Sequence, residues 1–205
     1  VAMDGAITGA TNITLSGELD AATLDISGNA DIDGTLETDA ITLGGASFIK
    51  VEGTNFTDGL IVGHATTGTL DNALRNTVVG IDAGDALTTA DDNTVVGYRA
   101  GSGLTTGGHN TLIGKNAGVT DSTGYGNTGV GKDTLYTGDS NYNTAVGYLA
   151  SYYTTGTLNV AIGAGAGQGS TSASSSYNTF LGKDAGNAIT TGGYNIAIGY
   201  DGGDN

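Results

Sequence analysis

The hydrophobic and polar positions of this chain repeat with a period of about 17 residues over its C-terminal two thirds, which is the range of repeat architectures. Each copy begins with asparagine and has a glycine four positions later. The copies begin at Asn76, Asn93, Asn110, Asn127, Asn143, Asn159, Asn178 and Asn195, in steps of 17, 17, 17, 16, 16, 19 and 17. The glycines are Gly80, Gly97, Gly114, Gly131, Gly147, Gly163, Gly182 and Gly199. A short period rich in glycine and β-branched residues is typical of a parallel β-solenoid.

The second and fourth positions of each repeat have the same parity and therefore share one face of a predicted strand. The second position is threonine except at Val160 and Ile196, and the fourth is always Val, Ile or Leu. Because β-branched aliphatic residues replace threonine here, we predict that this face points into the coil. The third position, on the opposite face, is also apolar in most copies, as in Val78 and Phe180. A strand that is apolar on both faces must be covered on both.

A coil of this length is expected to hold two strands of about five residues, two short turns and roughly one layer of side chains. So thin a ribbon has little core, so a single chain is predicted not to fold alone. Packing of the second apolar face on copies of itself around an axis would provide the missing cover. Three chains are the preferred number, and a two-fold sandwich is the alternative. The motif asparagines and glycines are interpreted as corner residues, with the asparagines forming a hydrogen-bonded ladder along the solenoid.

The N-terminal part has a different hydrophobic pattern. Residues 1–58 contain short alternating apolar pairs, among them Ile13/Leu15, Leu24/Ile26 and Ile41/Leu43, separated by glycines. Such pairs predict short strands joined by tight turns, and with so few apolar side chains only interwound chains could share a core. We therefore predict a thin β-structured shaft over 1–58, a degenerate first coil or adaptor over 59–75, and a repeat β-roll over 76–205. The last coil stops before its second half, which suggests an excerpt of a longer protein.

Composition narrows the function classes. The 205 residues include 38 glycines, no proline and no cysteine, which excludes a disulfide scaffold, thiolate chemistry and collagen. A net charge of −15 argues against a nucleic-acid partner, since no basic groove is available. No apolar run approaches the roughly 20 residues of a membrane helix, and no signal peptide opens the chain, so membrane insertion is not expected.

Candidate catalytic and metal-binding residues are few. Hydrolysis of a glycan needs two carboxylates held across a groove. The acids Asp91, Asp92, Asp133 and Asp184 fall mostly at surface turns without a matching partner, so we predict no enzyme activity, no catalytic residues and no cofactor. Asp31 and Asp33 resemble part of a calcium loop but lack its later glutamate. His64 and His109 have no ligand spacing. No metal residue is assigned, although a metal on a symmetry axis is left open.

The tyrosines offer a candidate contact surface. All ten lie from Tyr98 onward, next to the motif asparagines or glycines or in the segments between them. Stacked coils would align them into columns that could contact sugars or protein receptors, or else cover corners and fill subunit seams. The candidate contact residues are Tyr98, Tyr142, Tyr148, Tyr177, Tyr194 and Tyr200. Lys115, Lys132 and Lys183 share one phase and predict a partly solvated column. Ice binding by the threonine pairs at 105–106 and 190–191 fits poorly because several repeats lack the pair.

These residues resemble two known families. The stretches Asn159-Val160-Ala161-Ile162-Gly163 and 195–199 resemble the head motif of trimeric autotransporter adhesins, whose heads are left-handed β-rolls that trimerise through one face. The longer repeats at 143–150 and 178–186 are similar to repeats in tail fibres of tailed bacteriophages, and 24–36 resembles their shafts. The repeats here are longer than the adhesin-head repeat, which favours the fibre.

The resemblance implies a structural segment of a homotrimeric tail fibre that holds a host-receptor-binding tip away from the virion. Its expected partners are its own copies and other fibre or tail proteins, and its expected location is the virion tail. The alternative is an adhesin, on a bacterial cell surface, whose β-roll itself binds a host glycan or protein.

Overall fold

The computed structural model describes residues 41–43, 46–50, 59–62, 70–153, 155–169, 174–189 and 191–203. Within these ranges the regular secondary structure consists of β-strands, without helices. The strands are β1 Ile41–Leu43, β2 Ala46–Lys50, β3 Leu60–Val62, β4 Thr77–Val79, β5 Thr94–Val96, β6 Thr111–Ile113, β7 Thr128–Val130, β8 Thr144–Val146, β9 Val160–Ile162, β10 Thr179–Leu181 and β11 Ile196–Ile198. These residues belong to one compact unit, Thr38–Asn205.

The strands form a single sheet in sequence order. Strands β1 and β2 pair antiparallel, as do β2 and β3, whereas the nine strands from β3 to β11 are all parallel. Parallel neighbours keep one register, so Thr94 lies between Thr77 and Thr111. The predicted parallel β-solenoid is confirmed, with seven turns from β4 to β11. The predicted strand at Ile41–Leu43 is present, but most of the predicted shaft lies outside the described residues.

Each coil contains one strand of three residues, so the expectation of two longer strands was wrong. Beyond the strand, left-handed residues such as Asp82 (φ 55°) and Gly84 (φ 57°) bend the chain repeatedly. The bent segments still bond to neighbouring coils: the Gly101 N–H donates to the Ala117 carbonyl at 2.8 Å, and the Thr88 N–H donates to the Thr105 carbonyl at 3.0 Å. Backbone groups are therefore satisfied along the axis without a second sheet.

The inward face of the strand is the third repeat position, and the prediction that the second and fourth positions point inward was wrong. Val78, Val95, Leu112 and their equivalents in later coils are buried, whereas the residues that flank them are half-buried or exposed. A short strand in so narrow a coil can send only its middle side chain inside. The flanking residues, which alternate with it, must then point outward.

The core consists of narrow rows of mostly small residues, and a large side chain in it packs against glycines. Ala83, Ala100, Ala117, Ala150, Ala166 and Ala185 form one fully buried row behind the strands. The Phe180 ring fits inside because the residues that it contacts, Gly167 and Gly186, have no side chain. A Cβ at Gly167 would be 2.6 Å from the ring, and one at Gly186 would also overlap it. In the fourth coil the inward strand residue is Gly129, and the buried Leu135 side chain fills the space that a larger residue would occupy. Such complementarity keeps the interior at the density of a normal protein core.

The motif asparagines form the predicted ladder. In Asn93, the backbone N–H and Nδ2 both donate to Asn76 Oδ1 at 3.0 Å, and Asn110 makes the same two bonds to Asn93. The amide of each buried asparagine also reaches across the coil, as in the 2.8 Å bond from Asn110 Nδ2 to the Gly124 carbonyl. The left-handed corner lies one residue before the asparagine, at Asp92 (φ 60°) and its equivalents, and not at the asparagine itself.

The motif glycines form a column in which coils approach too closely for any side chain. In seven of the eight copies φ lies between 133° and 137°, a region that L side chains rarely adopt. A Cβ at Gly97 would lie 2.7 Å from the carbonyl carbon and oxygen of Gly114. At Gly199, in the last coil, φ is 110° and a Cβ would meet nothing within 4 Å.

This difference gives a matched pair of variants. Gly199→Ala carries backbone strain alone and should lower the free energy of unfolding by about 1–2 kcal/mol. Gly97→Ala carries similar strain plus overlap with the next coil and should cost at least about 2 kcal/mol more. Chemical denaturation followed by circular dichroism measures both, and equal losses would show that the coils do not approach as closely as described.

Candidate interaction surface

The outward residues of β4–β11 form a continuous uncharged strip, here called the outer sheet face. It comprises Thr77, Val79, Thr94, Val96, Thr111, Ile113, Thr128, Val130, Thr144, Val146, Val160, Ile162, Thr179, Leu181, Ile196 and Ile198. The parallel register aligns these side chains into two rows, one mostly threonine and one entirely aliphatic. On a chain with a net charge of −15, a strip without any charged residue is a marked contrast.

The outer sheet face becomes more apolar and more exposed toward its C-terminal end. In β4 and β5 all four outward residues are half-buried. In β11 the threonine is replaced, and Ile196 and Ile198 are 75% and 66% exposed. Exposed contiguous aliphatic surface of this kind is typical of a contact site for another molecule.

A second surface runs along the corner just before the motif asparagines and is called the pre-asparagine column. Its members one residue before the asparagine are Arg75, Asp92, His109, Gly126, Tyr142, Leu158, Tyr177 and Tyr194, and Tyr125, next to Gly126, packs between His109 and Tyr142. The Tyr177 and Tyr194 rings stack in parallel at 4.9 Å, while Tyr125 packs edge-on against His109 at 4.7 Å and Tyr142 at 5.9 Å. The predicted alignment of tyrosines into columns is therefore present.

The first coils of this column are ionic instead of aromatic. Arg75 donates from Nε to Asp92 Oδ1 at 2.5 Å and from Nη2 to Oδ2 at 2.7 Å. His109 Nε2 lies 3.6 Å from Asp92 Oδ2 on the other side. The hydrogen bonds from Arg75 hold the pKa of Asp92 below its usual value, with the charges of Arg75 and His109 adding to the effect. Asp92 therefore contacts residues of the coils on both sides, Arg75 and His109.

A third surface, the post-glycine column, mixes lysine and tyrosine. Lys115 Nζ lies 5.7 Å from the Tyr98 ring centroid, Lys132 lies 4.8 Å from that of Tyr148, and Lys183 lies 4.7 Å from that of Tyr200. Each pair joins adjacent coils by a cation–π contact. The three lysines are exposed, as predicted for a partly solvated column.

The six tyrosines singled out in the sequence are thus split between the two columns, and all are exposed. Tyr194 and Tyr200, at 80% and 70%, present the most surface. A separate cluster was not singled out: Tyr136 and Tyr152 stack at 4.6 Å, and Tyr153 packs edge-on against Tyr152 at 4.5 Å. Its signal was the spacing of Tyr136 and Tyr152, which equals the length of one coil.

The acids considered for catalysis each have a partner in the structure. Asp91 accepts the Leu74 N–H at 2.7 Å, and Asp184 pairs with Lys183. Burial raises the pKa of Asp133, but hydrogen bonds from Lys132 (2.5 Å) and Asn116 (2.8 Å) outweigh it, so the net shift is downward. Within the described ranges, no group of three or more His, Cys, Asp or Glu is placed to hold a metal ion. His64 and the Asp31–Asp33 stretch lie outside those ranges.

No protein-family profile, no curated protein and no solved structure matches this chain. No helix long and apolar enough to span a bilayer occurs in the part of the chain that the structure describes.

The ionic end of the pre-asparagine column predicts a measurable coupling between coils. Replacement of Arg75 by alanine removes the main cause of the depressed Asp92 pKa, so that pKa should rise toward its usual value. Replacement of Arg99, an exposed arginine outside this column, serves as the control and should leave it unchanged. Carboxyl chemical shifts followed by NMR titration give both values; an unaltered Asp92 pKa in Arg75→Ala would contradict the described pairing.

Proposed function

We propose that the chain is a structural segment of a homotrimeric viral tail fibre, which extends and positions a host-receptor-binding tip. The observation that carries the proposal is the outer sheet face, an uncharged, aliphatic and threonine-lined strip along a strongly acidic chain. A parallel sheet is normally covered on both faces. Here the coil covers one face only, and copies of the same face are the cover that a chain can supply for itself.

The solenoid has the mechanical properties that a spacer needs. Eight strand-to-strand steps from β3 to β11 give a length of roughly 38 Å at about 4.8 Å per step. The seven steps from β4 to β11 are crossed by backbone hydrogen bonds and by bonds of the asparagine ladder. Load along the axis is therefore shared among parallel bonds at each level, instead of passing through one turn.

Three copies are the number we prefer for covering the outer sheet face. Each coil contributes only two outward side chains, so the strip is narrow compared with the sheets of ordinary sandwiches. Closed cyclic symmetry would cover such strips, since every copy buries the same surface around the axis. The tyrosine and lysine columns then lie beside the seams or face solvent. Other fibre or tail proteins are the further partners, and the virion tail is the location.

The second candidate is an adhesin whose β-roll surface binds a host glycan or protein directly, on a virion or a bacterial cell surface. The observation that favours it is the exposure of tyrosines along the solenoid, among them Tyr98, Tyr142, Tyr148 and Tyr177. Tyrosine is enriched at recognition surfaces because it combines a large apolar ring with a polar tip. In this case the isolated chain would bind host cells, whereas a spacer would not.

A charge placed in the outer sheet face tests the proposal. Val130→Glu should convert a trimer into monomers in light scattering, because three carboxylates would meet around the axis without partners. The matched control is Thr89→Glu, which puts the same charge on an exposed residue outside that face and both columns and should leave a trimer.

Circular dichroism shows whether each variant keeps its strands. A wild-type chain that is monomeric at micromolar concentration would overturn the trimer. Host-cell binding by the wild type that is lost in Tyr194→Ala would favour the adhesin.

A further inference from the structure

A carboxyl group occupies the solenoid core in the third coil, residues 110–126. Asp121 lies at the repeat position that holds the fully buried Leu87 and Leu104 in the two preceding coils. It is itself only 2% exposed. A carboxyl group in the place of a core leucine is costly unless it is protonated or paired, so its surroundings decide how firmly this coil is held.

Asp121 interrupts the asparagine ladder. Its Oδ1 accepts the Gly124 N–H at 2.6 Å, and its Oδ2 accepts Asn127 Nδ2 at 3.2 Å. The Asn127 side chain therefore donates to Asp121 and to the Ser140 carbonyl, and only its backbone N–H donates to Asn110 Oδ1, at 2.9 Å. Earlier rungs, such as Asn93 to Asn76, have two donors to one oxygen. The rungs on both sides of the fourth coil, residues 127–142, therefore have one donor each, from Asn127 to Asn110 and from Asn143 to Asn127.

The hydrophobic core divides one coil earlier, between the second coil and the third. One cluster of buried residues runs from Ile61 to Leu104, and a second begins at Leu112 and continues to Ala197. The next coil also departs from the repeat, because Leu135 (φ 47°) takes a left-handed position that is glycine in the coil before it, at Gly118. A left-handed conformation costs a residue with a side chain about 1–2 kcal/mol.

The ionisable group that faces Asp121 is Asp139, from the fourth coil. Asp139 is held ionised by bonds to its Oδ1 from the Ser122 N–H (2.6 Å), Ser122 Oγ (2.8 Å) and the Thr123 N–H (3.0 Å). Burial raises the pKa of Asp121 to about 7; the Gly124 N–H opposes the shift, and the charge of Asp139 and a side-chain hydrogen bond with it add to it. Because Asp139 bonds to the two residues that follow Asp121, a protonated Asp121 can lie beside it, whereas an ionised one repels it.

We propose that the third and fourth coils form a pH-sensitive junction, at which ionisation of the buried Asp121 sets its carboxylate against that of Asp139 and lets the two halves of the solenoid open independently. Repeat proteins are stabilised by nearest-neighbour interfaces, so one weakened interface divides the chain into two cooperative segments. This goes beyond the proposed function, since it concerns the solenoid whatever it carries.

The direction of the pH effect follows from proton linkage. The folded state holds a proton on Asp121 that the unfolded state releases near the ordinary aspartate pKa of 3.8. The contribution of Asp121 to stability is therefore fully present below about pH 4 and is lost as the pH rises through about 7. Asp92, Asp133 and Asp139 have lowered pKa values and act in the opposite direction, at more acidic pH.

Hydrogen exchange of the full chain, measured by mass spectrometry at pH 5 and pH 8 and corrected for the intrinsic rate, tests the junction. Protection of residues 110–142 should fall by at least about tenfold at pH 8, while residues 76–109 change much less. Asp121→Asn, which cannot ionise, and Asp121→Leu, which restores the residue type of the earlier coils, should both remove the pH dependence of residues 110–142. Asp82→Asn, at a half-buried aspartate outside the core, should keep it.

Two results would overturn the proposal. One is protection of residues 110–142 that does not change between the two pH values in the wild type. The other is an Asp121→Asn chain with the wild-type pH dependence, which would place the titrating group elsewhere. If Asp121→Asn fails to fold, the comparison of Asp121→Leu with the wild type decides.

Discussion

The fold depends on one repeated interaction, the stacking of buried asparagine side chains along the solenoid. Each amide oxygen accepts from the next coil, and each amide nitrogen bonds to the preceding asparagine, to a carbonyl of its own coil, or to both. An amide buried without these partners would be strongly unfavourable, so the ladder forces every coil to present an asparagine at the same level. The asparagine ladder thereby keeps the adjacent strands and the glycine column in register.

This constraint explains how the solenoid tolerates coils of different length. Asn178 follows Asn159 after a step of 19, whereas the two steps before it are 16. Thr179 nevertheless still pairs with Val160, and Leu181 with Ile162. The extra residues lie between Ala166, in the buried alanine row, and Asn178. A solenoid fixed at one corner can vary on its far side, which here carries the Tyr136 and Tyr152 stack as well as the irregular coil at Asp121.

The architecture could be predicted from the sequence because a period of roughly 17 residues with asparagine and glycine at fixed phases has few other interpretations. The orientation of the strand could not, because its two faces are both apolar and parity alone does not say which is inside. Val160 and Ile196 appeared to mark an inner face, but β-branched residues are equally suited to an outer sheet surface. Asp121 was missed among the acids of the turns, although its alignment with Leu87 and Leu104 would have identified it.

The most direct test of this account is the unfolding free energy of Asn110→Ala compared with that of Asn187→Ala. Asn110 donates to Asn93 Oδ1 and the Gly124 carbonyl and accepts the Asn127 N–H, whereas Asn187 is half-buried outside the ladder. The account predicts a loss of about 2–4 kcal/mol for Asn110→Ala, because buried donors and acceptors would be left unpaired, and less than about 1 kcal/mol for Asn187→Ala. Equal and small losses would contradict the claim that the asparagine ladder holds the coils together.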